Sequence, residues 1–233
     1  MKVRIKFAKQ GTMKFIGHLD VMRYFQKAIR RADIDIRYSE GFSPHQIMSF
    51  AAPLGVGLTS NGEYMDIEVH SAPSSEEMKK RLNDTMVEGF NVLSCRRLPD
   101  GAGNAMSLVD AADYTVRFRK GHEPEDPAAF FDGLAAFSER PSIPIIKKTK
   151  KGEREMDLKP LIYELRVLKE EAVPAVFLRV STGSTDNVKP ELVMETYCRE
   201  MGYPYSPVAF EIQREELYAP GFVPLEDLGE IIE

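Results

Sequence analysis

Cysteine is scarce in this chain, and its placement closes off several chemistries. Only Cys95 and Cys198 occur among 233 residues, and no CxxC or CxxxCxxC run exists. The chain alone therefore cannot hold a cysteine-ligated iron–sulfur cluster or a cysteine-rich zinc site. Two thiols so far apart are expected to be reduced and partly buried in a cytosolic chain rather than bridged. Long apolar runs are also missing: none approaches the roughly 20 residues that span a bilayer. The opening MKVRIKFAKQG alternates charged and apolar residues and lacks the apolar core of a signal peptide. These absences point to a cytoplasmic protein without a membrane partner. A hydrophobic fraction of 43% beside 29% charged residues suits a globular chain with a real core, and the length suits two domains of about 100 to 120 residues.

Charge is present in both signs but unevenly spread. The net charge is −5, which argues against a uniformly basic nucleic-acid binder. Residues 1–50 carry ten Lys/Arg against four Asp/Glu, and residues 211–233 carry one Arg against seven acids. A basic head and an acidic tail suggest one surface that faces a polyanion; solvated charge kept for solubility is the plainer alternative.

Periodicity predicts the organisation. Residues 2–8 alternate as a half-buried strand with Val3, Ile5 and Phe7 inward. A helix is predicted from Gly17 to about Ala32, with Leu19, Met22, Phe25, Ile29 and Ala32 as its apolar stripe. Asp20 in its first turn and Arg30 and Arg31 in its last suit the helix dipole. Ile34–Tyr38, Ile47–Pro53, Glu63–His70 and Asn91–Leu98 read as extended, and Ser74–Val87 as a second helix. The order is β-α-β-β-α-β, a ferredoxin-like unit over 1–98. A small, polar stretch over 99–110 reads as a linker. The order then restarts over 111–218, with a basic hairpin between Ile143–Lys148 and Met156–Leu168, followed by an acidic tail at 219–233. The expected fold class is thus α+β, two tandem ferredoxin-like domains.

Such a unit brings together the loops after strands one and two. His18 at a helix start and His45 in the turn Gly41-Phe42-Ser43-Pro44-His45 are therefore expected neighbours, as are His122 and the tip at 147–154. Arg23, Lys27, Arg30 and Arg31 line one helix side with Tyr24 beside them, which suits phosphate contacts and base stacking. Lys147, Lys148, Lys150 and Lys151 form a second basic candidate. Each also has an ordinary reading: His18 as a core histidine, the arginines as a solvated face, Gly41 and Pro44 as turn formers, Phe42 as a core plug. His18 and His45 are candidate catalysts for metal-independent RNA cleavage. With Asp20 or Glu40 they form no tight ligand motif, so no metal is expected, and no cofactor.

The stretch FIGHLDVMRYFQKAIRRADIDIRYSEGFSPHQIMSFAAPLGVG, followed by EYMDIEV, resembles the uncharacterised radical SAM-linked, or radical SAM-associated, protein family. The likeness rests on Phe15, His18, Leu19, Asp20, Arg23, Ala28, Arg30, Arg31 and Ala32, and on Tyr38, Ser39, Gly41, Phe42, Pro44 and His45. It continues through Ser49, Phe50, Pro53, Leu54, Gly55, Glu63, Tyr64 and Asp66, with Asp157, Lys159, Pro160, Asn187 and Lys189 downstream. Gly17, Ser43 and Gln46 depart from the family pattern, Gln46 standing where a second proline is common. The resemblance implies partnership with a radical SAM enzyme on a separate chain, which must supply any radical chemistry. It establishes no activity. The expectation is a non-catalytic accessory module that presents RNA or a ribosomal component to that enzyme. The alternatives are a protein–protein scaffold without nucleic acid and a ribonuclease using His18 and His45.

Overall fold

The computed structural model describes residues 1–149, 152–168, 173–183 and 186–233. It is an α+β fold whose sheet pairings are mostly antiparallel, and it divides into two compact units: Met1–Asp110 with Arg214–Glu233, and Ala111–Gln213. No helix among the described residues is long and apolar enough to cross a membrane.

Unit 1 contains β1 (Lys2–Lys9), α1 (His18–Arg31), β2 (Met48–Phe50), β3 (Thr59–Glu68), α2 (Ser75–Asn83), β4 (Phe90–Arg97) and the short α3 (Ala105–Leu108). β1 pairs antiparallel with β3 on one side and β4 on the other, and β2 pairs antiparallel with β3. Strict alternation sends Val3, Ile5 and Phe7 into a core shared with Val21, Phe25 and Ile29 of α1 and Met78 and Leu82 of α2. Phe7 and Phe25 lie 4.6 Å apart between ring centroids, and Phe50 and Phe90 complete the aromatic cluster. Leu19, expected in the apolar stripe, is 60% exposed; Val21 and Ala28 are buried on the inner face of α1. α2 opens with Ser74 Oγ accepting from the Glu77 N–H. It stops at Asn83, short of the expected Val87, because the Asn83 amide bonds both the N–H and the carbonyl of Val92.

The opposite face of β1 carries charge. Arg4 donates to both oxygens of Asp66, at 2.8 and 3.0 Å, and to the Leu225 carbonyl at 3.0 Å. Asp66 also accepts from the Ala105 N–H at 2.9 Å, so the stretch 99–110 read as a linker is tied into unit 1. Lys6 donates to Glu216 and Glu226, each at 2.6 Å, the Tyr64 hydroxyl donates to Glu216, and Ser94 donates to Glu226. Lys6 of the basic head thus meets Glu216 and Glu226 of the acidic tail within one unit.

The expected strand Ile34–Tyr38 is not formed. Ile36 and Tyr38 make isolated bridges to Val69 and Gln46, and the ladder partner of β3 is β2, which follows the Gly41–His45 turn. Ile47 donates to the Arg37 carbonyl while Arg37 donates to Glu68, so this backbone is satisfied without a continuous ladder.

Unit 2 contains β5 (Ala111–Phe118), α4 (Pro127–Ser138), β6 (Pro144–Thr149), β7 (Gly152–Asp157), β8 (Ile162–Leu168), β9 (Ala175–Ser181), α5 (Pro190–Met201) and the first residues of β10 (Phe210–Ala219). The remainder of β10 belongs to unit 1, as does β11 (Val223–Pro224), with which it pairs. β5 and β8 flank β9, both antiparallel, while β6 and β7 form a separate two-stranded sheet. Phe118, Phe130, Phe131 and Phe210 pack together, and the Tyr197 hydroxyl donates to the Phe130 carbonyl. The single strand expected over Met156–Leu168 breaks into β7 and β8 at a short 3-10 turn, Lys159–Leu161. Asp157 causes the break: its Oδ1 accepts from the Ile143 and Lys159 N–H groups, Leu158 is buried, and Pro160 has no N–H for a ladder. Cys95 and Cys198 are both free and buried, and burial pushes their thiols up to about 12 and about 11.

Removing one member of a buried ion pair leaves the other charge stranded. Asp66→Asn is expected to cost about 3–5 kcal/mol in urea unfolding, with much of it recovered in the double variant Arg4→Met/Asp66→Leu; a cost below about 1 kcal/mol would count against the pair as a constraint. Burial alone would raise Glu226, but hydrogen bonds from Lys6 and Ser94 outweigh it and hold the carboxyl below its ordinary value of 4.5. A depressed carboxyl contributes stability that is present above 4.5 and lost as pH falls through the folded value. The melting-temperature deficit of Glu226→Gln at neutral pH should therefore narrow below 4.5; an unchanged deficit at about pH 3 would contradict this linkage.

Candidate nucleic-acid interface

α1 positions most of the expected site residues. Burial of Val21, Phe25, Ala28 and Ile29 rotates Arg23, Lys27, Arg30 and Arg31 outward, and all four are exposed. Among the described residues Arg23 makes only a solvent-exposed pair with Asp20 at 3.3 Å, a type of pair worth little. Arg30 Nε donates to the Gln26 carbonyl of its own helix at 3.3 Å. Arg31 is more tied, donating to the Thr85 carbonyl and lying 6.0 Å from the Tyr24 ring. Tyr24 itself is half-buried, stacked on Phe90 and accepting from the Val87 N–H, so it is a packing residue rather than a stacking platform.

The Gly41–His45 turn lies against the second half of this helix. Gly41 has φ 109°, the left-handed region where glycine is favoured. Ser39 closes the turn: its N–H donates to the His45 carbonyl, its Oγ accepts from the His45 N–H at 3.1 Å, and the same Oγ lies 2.8 Å from His45 Nδ1. Residues 40–45 are exposed and Phe42 is fully so, so it does not plug the core. Tyr38, Pro44, His45 and Gln46 line a cavity of about 210 Å³ with Gln26 and Arg30.

The two histidines do not meet. β1 and β2 both run antiparallel to β3, with Met48 and Val3 each opposite Ile67. The turn before β2 therefore sits at the starting end of β1, whereas α1 begins beyond its finishing end. Residue 26, beside the His45 cavity, lies eight positions along α1 from His18, about 12 Å at the rise of an α-helix. The segment that does reach His18 is the one after β2. His18 stands edge-on to Phe50 at 5.1 Å and shares a cavity of about 10 Å³ with Lys9, Pro53, Leu54 and Glu63. Lys9 Nζ donates to the Ile16 carbonyl, and burial lowers its pKa, helped by Arg214 and opposed by Glu63. Glu63 itself accepts from Arg214 at 2.8 Å, both side chains being buried. This second charged cluster is absent from the sequence expectations; extending the Val3-Ile5-Phe7 alternation to Lys9, and Ile67-Met65 back to Glu63, puts both on the core side and is the signal the sequence offers.

In unit 2, Asp157 acts as the clasp of the hairpin; the Ile143 and Lys159 N–H groups hold its carboxyl low. Lys189 occupies the position before the first turn of α5, without a side-chain capping bond, and lines a cavity of about 680 Å³ with Ile145, Ile146, Leu192 and Arg199. The side chains of Lys147 and Lys148, and all of Lys150 and Lys151, lie outside the described residues. Among the described residues no cluster of histidine, cysteine and carboxylate could hold a metal ion.

Comparison with known proteins places the chain. A family model described as "Uncharacterized protein conserved in bacteria (DUF2344)" matches residues 2–190. The chain belongs to that family. The description of DUF2344 states no activity and no partner. No curated protein matches this DUF2344 chain. Among solved structures it is similar to a chain of "Crystal Structure of a Cbf5-Nop10-Gar1 Complex", at 12% identity and a TM-score of 0.47, covering 92% of this chain and 48% of that one. It is also similar to "Crystal Structure of an Unknown Protein from Galdieria sulphuraria", at 13% identity and a TM-score of 0.26, covering 92% and 96%. The DUF2344 chain thus spans about half the length of the first of these.

Ser39→Ala removes the acceptor of the His45 N–H and should speed hydrogen exchange at that amide by roughly three- to tenfold, as one net hydrogen bond implies. Unchanged exchange, followed by NMR, would mean that the turn is held otherwise.

Proposed function

We propose that this protein is a non-catalytic RNA-binding accessory module that serves a radical SAM enzyme on a separate chain. The observation that carries the RNA half is the exposed row Arg23, Lys27 and Arg30, which lies outside the ion-pair network of β1 and whose Arg30 shares a cavity with the exposed Tyr38, in a stretch that also exposes Phe42. Cations tracking a backbone next to accessible aromatic rings are what single-stranded RNA needs. The partnership half rests on the sequence motifs and their resemblance to radical SAM-linked proteins. The finer fold reading, two tandem ferredoxin-like units, is supported by the strand order β4-β1-β3 with β2 on β3, and by β10-β5-β9-β8. The ribonuclease reading is disfavoured because His18 and His45 line separate cavities. A scaffold reading keeps one observation of its own: Phe15, Leu19 and Val56 are exposed at the opposite end of α1, with the Gly57 N–H bonded to the Lys14 carbonyl beneath them.

The test is binding of the purified chain to total cellular RNA across a salt series, beside Arg30→Ala/Arg31→Ala. The expected outcome is binding that weakens with salt and a double variant that binds less and with a shallower salt slope, by about 0.7 per lost phosphate contact of a single strand. Absence of binding at low salt would remove the RNA reading and leave the scaffold.

A further inference from the structure

Gln46 is the unsatisfied polar residue of the cavity beside α1. It is 5% exposed, and its Nε2 donates to the Gln26 carbonyl at 3.2 Å. That bond fixes the amide orientation, since the reverse would set two carbonyl oxygens against each other. Its Oε1 is shut from solvent and accepts no hydrogen bond among the described residues. A buried acceptor without a donor is costly, and a ligand that brings a donor recovers the loss. Arg30, the exposed Tyr38 ring and His45 surround the same cavity of about 210 Å³. His45 has its Nδ1 engaged by Ser39, which directs the other ring nitrogen away from that bond.

We propose that this cavity takes an amine-bearing nucleobase of single-stranded RNA, its exocyclic amine donating to Gln46 Oε1. This rests on the RNA-binding reading above and deepens it. The base lies against the Tyr38 ring, Arg30 holds an adjoining phosphate, and Phe42 offers a face to the next base. Because Oε1 is closed off, the exposed turn 40–45 parts slightly from α1 to admit the amine; the turn is clasped within itself, His45 meeting Ser39 and the Ser43 carbonyl. Uracil carries a carbonyl where cytosine carries the amine, so in the same pose it sets an acceptor against an acceptor and keeps as a donor only its ring N3–H, which that pose does not aim at Oε1. The site therefore discriminates against uridine while the arginines bind all sequences alike.

The experiment compares equal-length oligo(rA), oligo(rU) and an oligomer of purine riboside, which is adenosine without its amine. Anisotropy is read at one salt concentration with the full chain and with Gln46→Met. The wild type should bind oligo(rA) about three- to tenfold more tightly than the other two, as one hydrogen bond implies. Gln46→Met should abolish that difference and keep the oligo(rU) affinity and the salt slope. Equal affinities for the three oligomers in the wild type would overturn the cavity proposal and leave general RNA binding standing. No binding to any of them would remove both. If Gln46→Met does not fold, the purine riboside comparison in the wild type decides alone.

Discussion

The buried pair Arg4–Asp66 is the constraint on which unit 1 depends. A guanidinium and a carboxylate, exposed 1% and 3%, persist inside a protein when good pair geometry is joined by further hydrogen bonds to the remaining donors and lone pairs. Answering them recruits distant chain: the Leu225 carbonyl takes the third Arg4 bond, and the Ala105 N–H takes the second oxygen of Asp66. Lys6 repeats the requirement one pleat along and recruits Glu216 and Glu226. Burial works against its charge, yet the two carboxylates raise its pKa. The same alternation that builds an apolar core on one face of β1 thus obliges the C-terminal residues to cover the other.

This requirement also divides the basic residues into two kinds. Arg4, Lys6 and Arg214 are partnered within the fold and are unavailable to a ligand, whereas Arg23, Lys27 and Arg30 face water on α1. Summed over the first fifty residues the two kinds look alike. A net charge of one sign at one end of a sequence cannot separate them, because the acids that neutralise Arg4 and Lys6 stand 62 and more than 200 positions away.

The legible parts of the fold were those where local pattern and tertiary position agree. β1 alternates because one side is core, and α1 begins and ends where its dipole is complemented by Asp20 and Arg30. Ile34–Tyr38 misled because β-branched and aromatic residues mark an extended chain without saying whether it joins a ladder. Its backbone bonds are exchanged singly with Glu68 and Ile47. That single misassignment moved the Gly41–His45 turn from the entrance of β2 to its exit and so to the wrong end of the sheet. The histidine pair followed from it. His18 also has an ordinary reading as a core histidine, and its edge-on contact with Phe50 is of the kind that reading requires.

Three or four cations on one helix make a weak ligand site. Each neutralised phosphate of a single strand contributes a salt slope of only about 0.7, so binding through them is modest and indifferent to sequence. Selectivity has to come from a neutral group whose hydrogen bonding is incomplete without the correct partner, because a mismatched polar contact is penalised while an extra phosphate contact is not. On this side of α1 Gln46 is that group, buried where the cations are exposed and bonded on one side of its amide only. Affinity and discrimination would then be carried by different residues of the same short stretch. Removing an arginine weakens every complex, and removing Gln46 changes only which complex is preferred.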